Sequence, residues 1–98
     1  MLVGRYATLV IKTKGYGPRI ITFLFEFLFT DKDINSNFLI DRIVWDTMLE
    51  NKRAQRVYTT KIGAKKIGIR ENTWQDQLGN WRSAVDFEMR RDSFFALN

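Results

Sequence analysis

A chain of 98 residues with 45% hydrophobic and 14% aromatic content has the composition of one folding domain spanning 1–98, and a domain of this size buries only roughly 60–65% of its surface, so its stability is slender. With neither cysteine nor histidine, it excludes disulfides, thiolate or imidazole catalytic pairs and the common zinc sites; no metal centre is expected, and a reducing, cytoplasmic setting is. The formal net charge of +5 favours an anionic partner, while the apolar run over 20–29 is about half a membrane span and is interrupted by Glu26, so no membrane segment is expected.

The β-branched and aromatic residues over 6–12 predict a strand that runs into a glycine turn, Lys14-Gly15-Tyr16-Gly17. Pro18 suits the first turn of a helix, where a missing N–H costs nothing, and the spacing predicts a helix over 18–29. Apolar residues go nearly all the way round it, so something is expected to cover its far side. A polar turn over 31–37 precedes a second strand over 38–45, apolar except for Asp41 and Arg42, and strand, helix, strand makes a right-handed crossover with a parallel pair.

Asn51 is placed to cap a helix over 52–62 that ends on Gly63 as a left-handed stop. Strand patterns over 65–74 and 81–90 flank Gln77-Leu78-Gly79-Asn80, which is hairpin chemistry, and Ser83, Val85, Phe87 and Met89 alternate as one set. The expected fold class is therefore α/β (α+β), in the order β-α-β-α-β-β, with a parallel strand pair and a C-terminal antiparallel hairpin.

Two constellations carry chemistry. In the first, Lys12, Lys14, Gly15, Tyr16 and Gly17 lead straight into a helix near Arg19. Glycine lets backbone N–H groups approach a ligand, and the helix start adds partial positive charge, so the segment is either a structural turn or a phosphate cradle. Neither the dinucleotide fingerprint nor the Walker loop fits it. In the second, Asn51 and Tyr58 lie about two helical turns apart on one side and can line a cleft; the plainer alternative is a cap and a buried tyrosine. Lys52, Arg53, Arg56 and Lys61 could make a basic nucleic-acid surface, or be solvated charge.

Taken jointly, the two segments resemble the GCN5-related N-acetyltransferase superfamily. Lys12 to Gly17 is similar to its Arg/Gln-x-x-Gly-x-Gly/Ala signature with lysine first, and Asn51 to Ala64 is similar to its Asn-x-x-Ala-x-x-x-Tyr-x-x-x-Gly-Phe signature. The stretches over 68–71 and 81–89 resemble the ending of the branch holding ribosomal-protein N-terminal and diamine acetyltransferases. The resemblance implies acyl transfer from acetyl-coenzyme A to an amine. It places the pyrophosphate on backbone N–H groups around Lys14, Gly15, Tyr16, Gly17 and Arg19, the pantetheine arm between the first two strands, Asn51 on that arm and Tyr58 beside the sulfur. A tyrosine hydroxyl is protonated at neutral pH, as a general acid must be.

The chain matches the C-terminal, coenzyme-binding half of that fold, so the first strands and helices, which usually form much of the acceptor wall, have no counterpart. Residues 6–12 hold no carboxylate to serve as general base. Ala64 stands where the family usually has phenylalanine, which leaves a void unless another residue fills it. The first strand is expected to present a bare edge and the 18–29 helix to expose phenylalanine, both of which a second copy of the chain would cover. A non-catalytic relative that binds the coenzyme or only dimerises is the alternative to an active enzyme.

Overall fold

The computed structural model describes residues 5–12 and 16–97. The elements are β1 (Tyr6–Val10), α1 (Pro18–Thr30), β2 (Leu39–Met48), α2 (Lys52–Arg56) continuing as a π-helix (Val57–Ile62), β3 (Lys65–Gln75), β4 (Trp81–Arg90) and α3 (Arg91–Leu97). One four-stranded sheet has the order β1-β2-β4-β3, with β1 and β2 parallel and the other neighbours antiparallel. The parallel pair and the terminal hairpin match the sequence expectation, and β4 inserts between β2 and β3.

One face of the sheet carries the core. Alternation along β2 and β4 points Ile43 and Trp45 the same way as Met89, Phe87 and Val85, and these meet Ile21, Phe25 and Phe29 from α1 and Tyr58 and Ile62 from the π-helix. Phe25 packs on Trp45 with ring centroids 5.0 Å apart, and Trp45 in turn packs on Tyr58 and Phe87. The Trp45 Nε1 is buried without a hydrogen-bond acceptor among the described residues.

Helix α3 is an element that the sequence reading did not include. It is only seven residues long, too short to show a periodic stripe, and it is held by tertiary contacts: Phe94 packs against Phe25 and Phe29, and Arg91 donates to the Ile40 carbonyl while lying over the Phe29 ring. Its last turn also closes over the π-helix. Gly63 has φ of 81°, and a Cβ there would meet Leu97 Cδ1 at 2.9 Å, so both conformation and space require glycine. Ala64, where a void was expected, is itself buried in the core.

The other sheet face is charged, and among the described residues no helix covers it. Arg42 pairs with Glu88 at 3.0 Å, and Glu88 is only 7% exposed. Removing Arg42 would leave a carboxylate desolvated and unpaired, so Arg42→Ala is expected to cost about 1–3 kcal/mol, less than a fully buried pair because the arginine is itself about a third exposed. Chemical denaturation checks this, and Glu88→Gln should be milder than Arg42→Ala. Nearby, Arg70 binds Asp86 through two hydrogen bonds of 2.8 Å and Asp46 through one of 2.7 Å, and this pairing, Asp86 first, raises the guanidinium above its ordinary value.

At the hairpin tip, Asp76 accepts from the backbone N–H of Leu78 and of Asn80 and from Arg82 Nε, each at 2.9 Å. These bonds, the Asn80 amide foremost, hold its carboxyl below the ordinary value. The turn residues predicted over 77–80 thus owe their order to the residue just before them.

Candidate active-site cleft

Strands β1 and β2 part company. Among the described residues their last bond runs from the Ile11 N–H to the Val44 carbonyl at 3.0 Å, while β2 continues to Met48, held on its other side by β4 through Thr47↔Val85 and Met48↔Ala84. Since strand pairing alternates, Asp46 and Met48 turn their backbone groups toward the side that β1 has left. The result is a V-shaped splay whose open arm carries the Asp46 backbone and the Met48 N–H, the Met48 carbonyl already accepting from the Asn51 N–H at 2.9 Å.

Above the splay stand two helix starts. Gly17 is the N-cap of α1 in an extended conformation and supplies no side-chain cap, its carbonyl accepting from the Ile21 N–H at 3.1 Å. Pro18 has no donor, so the amides of Arg19 and Ile20 are the first orphan N–H groups of the helix. Across the gap, Asn51 Oδ1 accepts from the Ala54 N–H at 3.1 Å and so caps α2, as the plainer of the two sequence readings had it; Gln55 pins the turn by donating to the Leu49 carbonyl at 2.8 Å.

The helix beginning at Asn51 differs from the expected one. After Arg56 it widens to a π-helix. Thr59 and Thr60 donate their hydroxyls back to the carbonyls of Gln55 and Arg56, which competes with the regular ladder. The widened turn keeps Tyr58 inward: the residue is 6% exposed, with its ring edge-on to Trp45 and to Phe87.

These elements surround a cleft of about 940 Å³, within the range of small-molecule sites. Of the residues singled out in the sequence, Lys12, Tyr16, Gly17, Asn51 and Tyr58 line it. Arg19 is exposed on the first turn of α1 and is not among the lining residues, while Lys14 and Gly15 lie outside the described residues.

The cleft also has walls that sequence reasoning did not find. Arg53, read as solvated or nucleic-acid-facing charge, lines it from α2. Asp46, Arg70, Thr73 and Trp74 line its far side, on the charged face of the sheet. Alternation along β2 places Asp46 opposite in sense to Trp45, which was legible; that Arg70 would meet it across 24 residues of chain was not.

No family model and no curated protein matches the sequence. Solved structures do. The chain is similar to spermidine/spermine N-acetyltransferase SpeG from Vibrio cholerae in complex with manganese ions, with 15% identity, 87% of this chain and 45% of that one covered, and a TM-score of 0.71. It is similar to spermidine N-acetyltransferase from Vibrio cholerae in complex with CoA and spermine, with 16% identity, coverage of 84% and 44%, and a TM-score of 0.68. A further acetyltransferase aligns at 18% identity over 82% of this chain and 38% of its own, with a TM-score of 0.69. The chain thus spans less than half the length of each, and over that span it has the fold of the GCN5-related N-acetyltransferases. Among the described residues no helix is long and apolar enough to cross a membrane.

Proposed function

We propose that this chain is an N-acetyltransferase unit that takes acetyl-coenzyme A into the cleft at the β1–β2 splay and passes the acetyl group to an amine. The observation that supports the reading most is the coincidence, in one cleft, of two unpaired backbone features, the open arm of β2 and the uncapped start of α1, with Asn51 and Tyr58 between them. A charged nucleotide arm with an amide-bearing tail is complementary to such a lining.

The residues present fit that ligand. The orphan N–H groups at the α1 start, together with the turn carrying Lys14 and Gly15, would receive a pyrophosphate, and Lys12 and Arg53 would balance its charge. The Asp46 backbone and the Met48 N–H would pair with the amides of the pantetheine arm as a missing strand would. Asn51, whose Oδ1 already caps α2, has Nδ2 left to donate to the same arm. When bound, the coenzyme supplies an activated thioester.

The protein's part is to orient and to move a proton. Tyr58, fixed by Trp45 and Phe87, would give its hydroxyl proton to the departing sulfur, and the proton that the attacking amine loses would pass through solvent to restore the hydroxyl. On the far wall, Asp46 and Trp74 face the side from which an amine can approach. Relatives of similar fold are described as spermidine or spermidine/spermine acetyltransferases, and a cationic amine suits a wall lined by the Asp46 carboxylate. A cytoplasmic setting belongs to the same proposal.

The test is release of free thiol from acetyl-coenzyme A with a panel of amines, including polyamines and peptide N-termini. Amine-dependent thiol release is expected. Binding of the coenzyme with no release for any amine would select a non-catalytic coenzyme binder, and absence of binding would leave only the relative that dimerises.

A further inference from the structure

The outward face of α1 is an apolar feature to which neither the core nor the cleft gives a role. Ile20, Phe23 and Phe27 stand at i, i+3 and i+7, and are 58%, 72% and 47% exposed. At about 100° per residue they fall within roughly 60° of arc, directly away from Ile21, Phe25 and Phe29, which anchor the helix to the sheet. An aromatic stripe of this kind on a 13-residue helix is costly to leave in water.

Two charges border the stripe. Arg19 and Glu26 lie on the same flank, seven positions apart, both exposed and neither paired with another described residue. We propose that this face is a self-association surface, on which α1 packs antiparallel to α1 of a second copy about a two-fold axis near Phe23. In that arrangement Phe23 meets its own counterpart, Ile20 meets Phe27 of the other copy, and Arg19 meets Glu26 of the other copy, twice over by symmetry.

Charge decides the orientation. A parallel pairing would put the two charged flanks on opposite sides of the stripe, where neither Arg19 nor Glu26 meets a partner, whereas the antiparallel one keeps them on one side and makes two opposite-charge contacts. Exposed ion pairs contribute little affinity singly, so the aromatic stripe supplies the drive and the charges supply the register. A contact along one helix about 20 Å long buries less than the roughly 800 Å² a side of a standard interface, so the dimer is weak and concentration-dependent.

Sedimentation velocity of the full chain from about 1 to about 100 µM tests this. The chain is expected to pass from monomer to dimer across that range. Arg19→Glu and Glu26→Arg should each weaken association by about tenfold or more, since each creates two like-charge contacts, and the double exchange should recover it. Phe23→Ser, at an exposed position that leaves the core intact, should keep the chain monomeric throughout. A monomer at every concentration overturns the proposal, and so does a dimer indifferent to all four changes, which would point to the β1 edge or to another surface. Weakening in the single variants with no recovery in the double overturns the antiparallel register.

Discussion

Phe25→Ala is expected to cost about 3–5 kcal/mol, with a fall in Tm of more than about 10 °C for a domain of this size. The ring is fully buried at the junction of three elements: it touches Trp45 of β2 at 5.0 Å and stands edge-on to Phe94 of α3 at 6.2 Å. Alanine leaves a void that a sheet on one side and a helix on the other cannot close. A chain of this length holds only about 5–15 kcal/mol of net stability, so much of the population is expected to unfold near body temperature. Thermal unfolding followed by circular dichroism reads the effect. Phe23→Ala, two residues away on the same helix but 72% exposed, should shift stability by no more than about 0.5 kcal/mol in dilute solution. Equal effects at the two positions would contradict the assignment of inner and outer faces.

Tyr58→Phe is expected to lower turnover by about 10²–10⁴-fold with KM for acetyl-coenzyme A nearly unchanged. The substitution keeps the ring, and with it the edge contacts to Trp45 at 5.6 Å and to Phe87 at 5.2 Å, while removing the hydroxyl proposed to give up the proton. Because the fold keeps its packing, a thermal scan alongside the assay separates lost chemistry from lost structure. Asn51→Ala should behave differently. It removes the cap of α2 as well as the proposed donor to the coenzyme arm, so it should lower Tm and raise KM together. A Tyr58→Phe enzyme with wild-type turnover would remove that hydroxyl from the proposed chemistry.

How far the sequence disclosed this molecule depended on the range of the forces involved. Pro18 opening a helix, Asn51 capping one, Gly63 closing it at positive φ and the turn before Trp81 are local chemistry, and each lies where the sequence placed it. Features set by distant pairing were not legible. Strand β2 runs past Trp45 to Met48 because β4 supports it, and α3 exists because Phe94 has Phe25 and Phe29 to pack on. The widening at Val57–Ile62 needed the back-bonding of Thr59 and Thr60, which a periodicity count does not weigh. In the cleft, the glycine turn and the Asn51/Tyr58 pair were visible as motifs, but the opposite wall of Asp46, Arg70 and Trp74 is assembled from two strands distant in sequence and has no motif. The outward aromatic face of α1, by contrast, was plain from its composition, since eight apolar residues on one helix cannot all face a single sheet.

The central claim is that the splay between β1 and β2 is a coenzyme groove. A crystal structure of the chain grown with coenzyme A tests it most directly. The account predicts density for the pyrophosphate at the start of α1, the pantetheine arm along the backbone of Asp46 and Met48, and the sulfur beside the Tyr58 hydroxyl. Density for the coenzyme at another surface, or a groove closed by the protein's own side chains in the presence of saturating coenzyme, would contradict it.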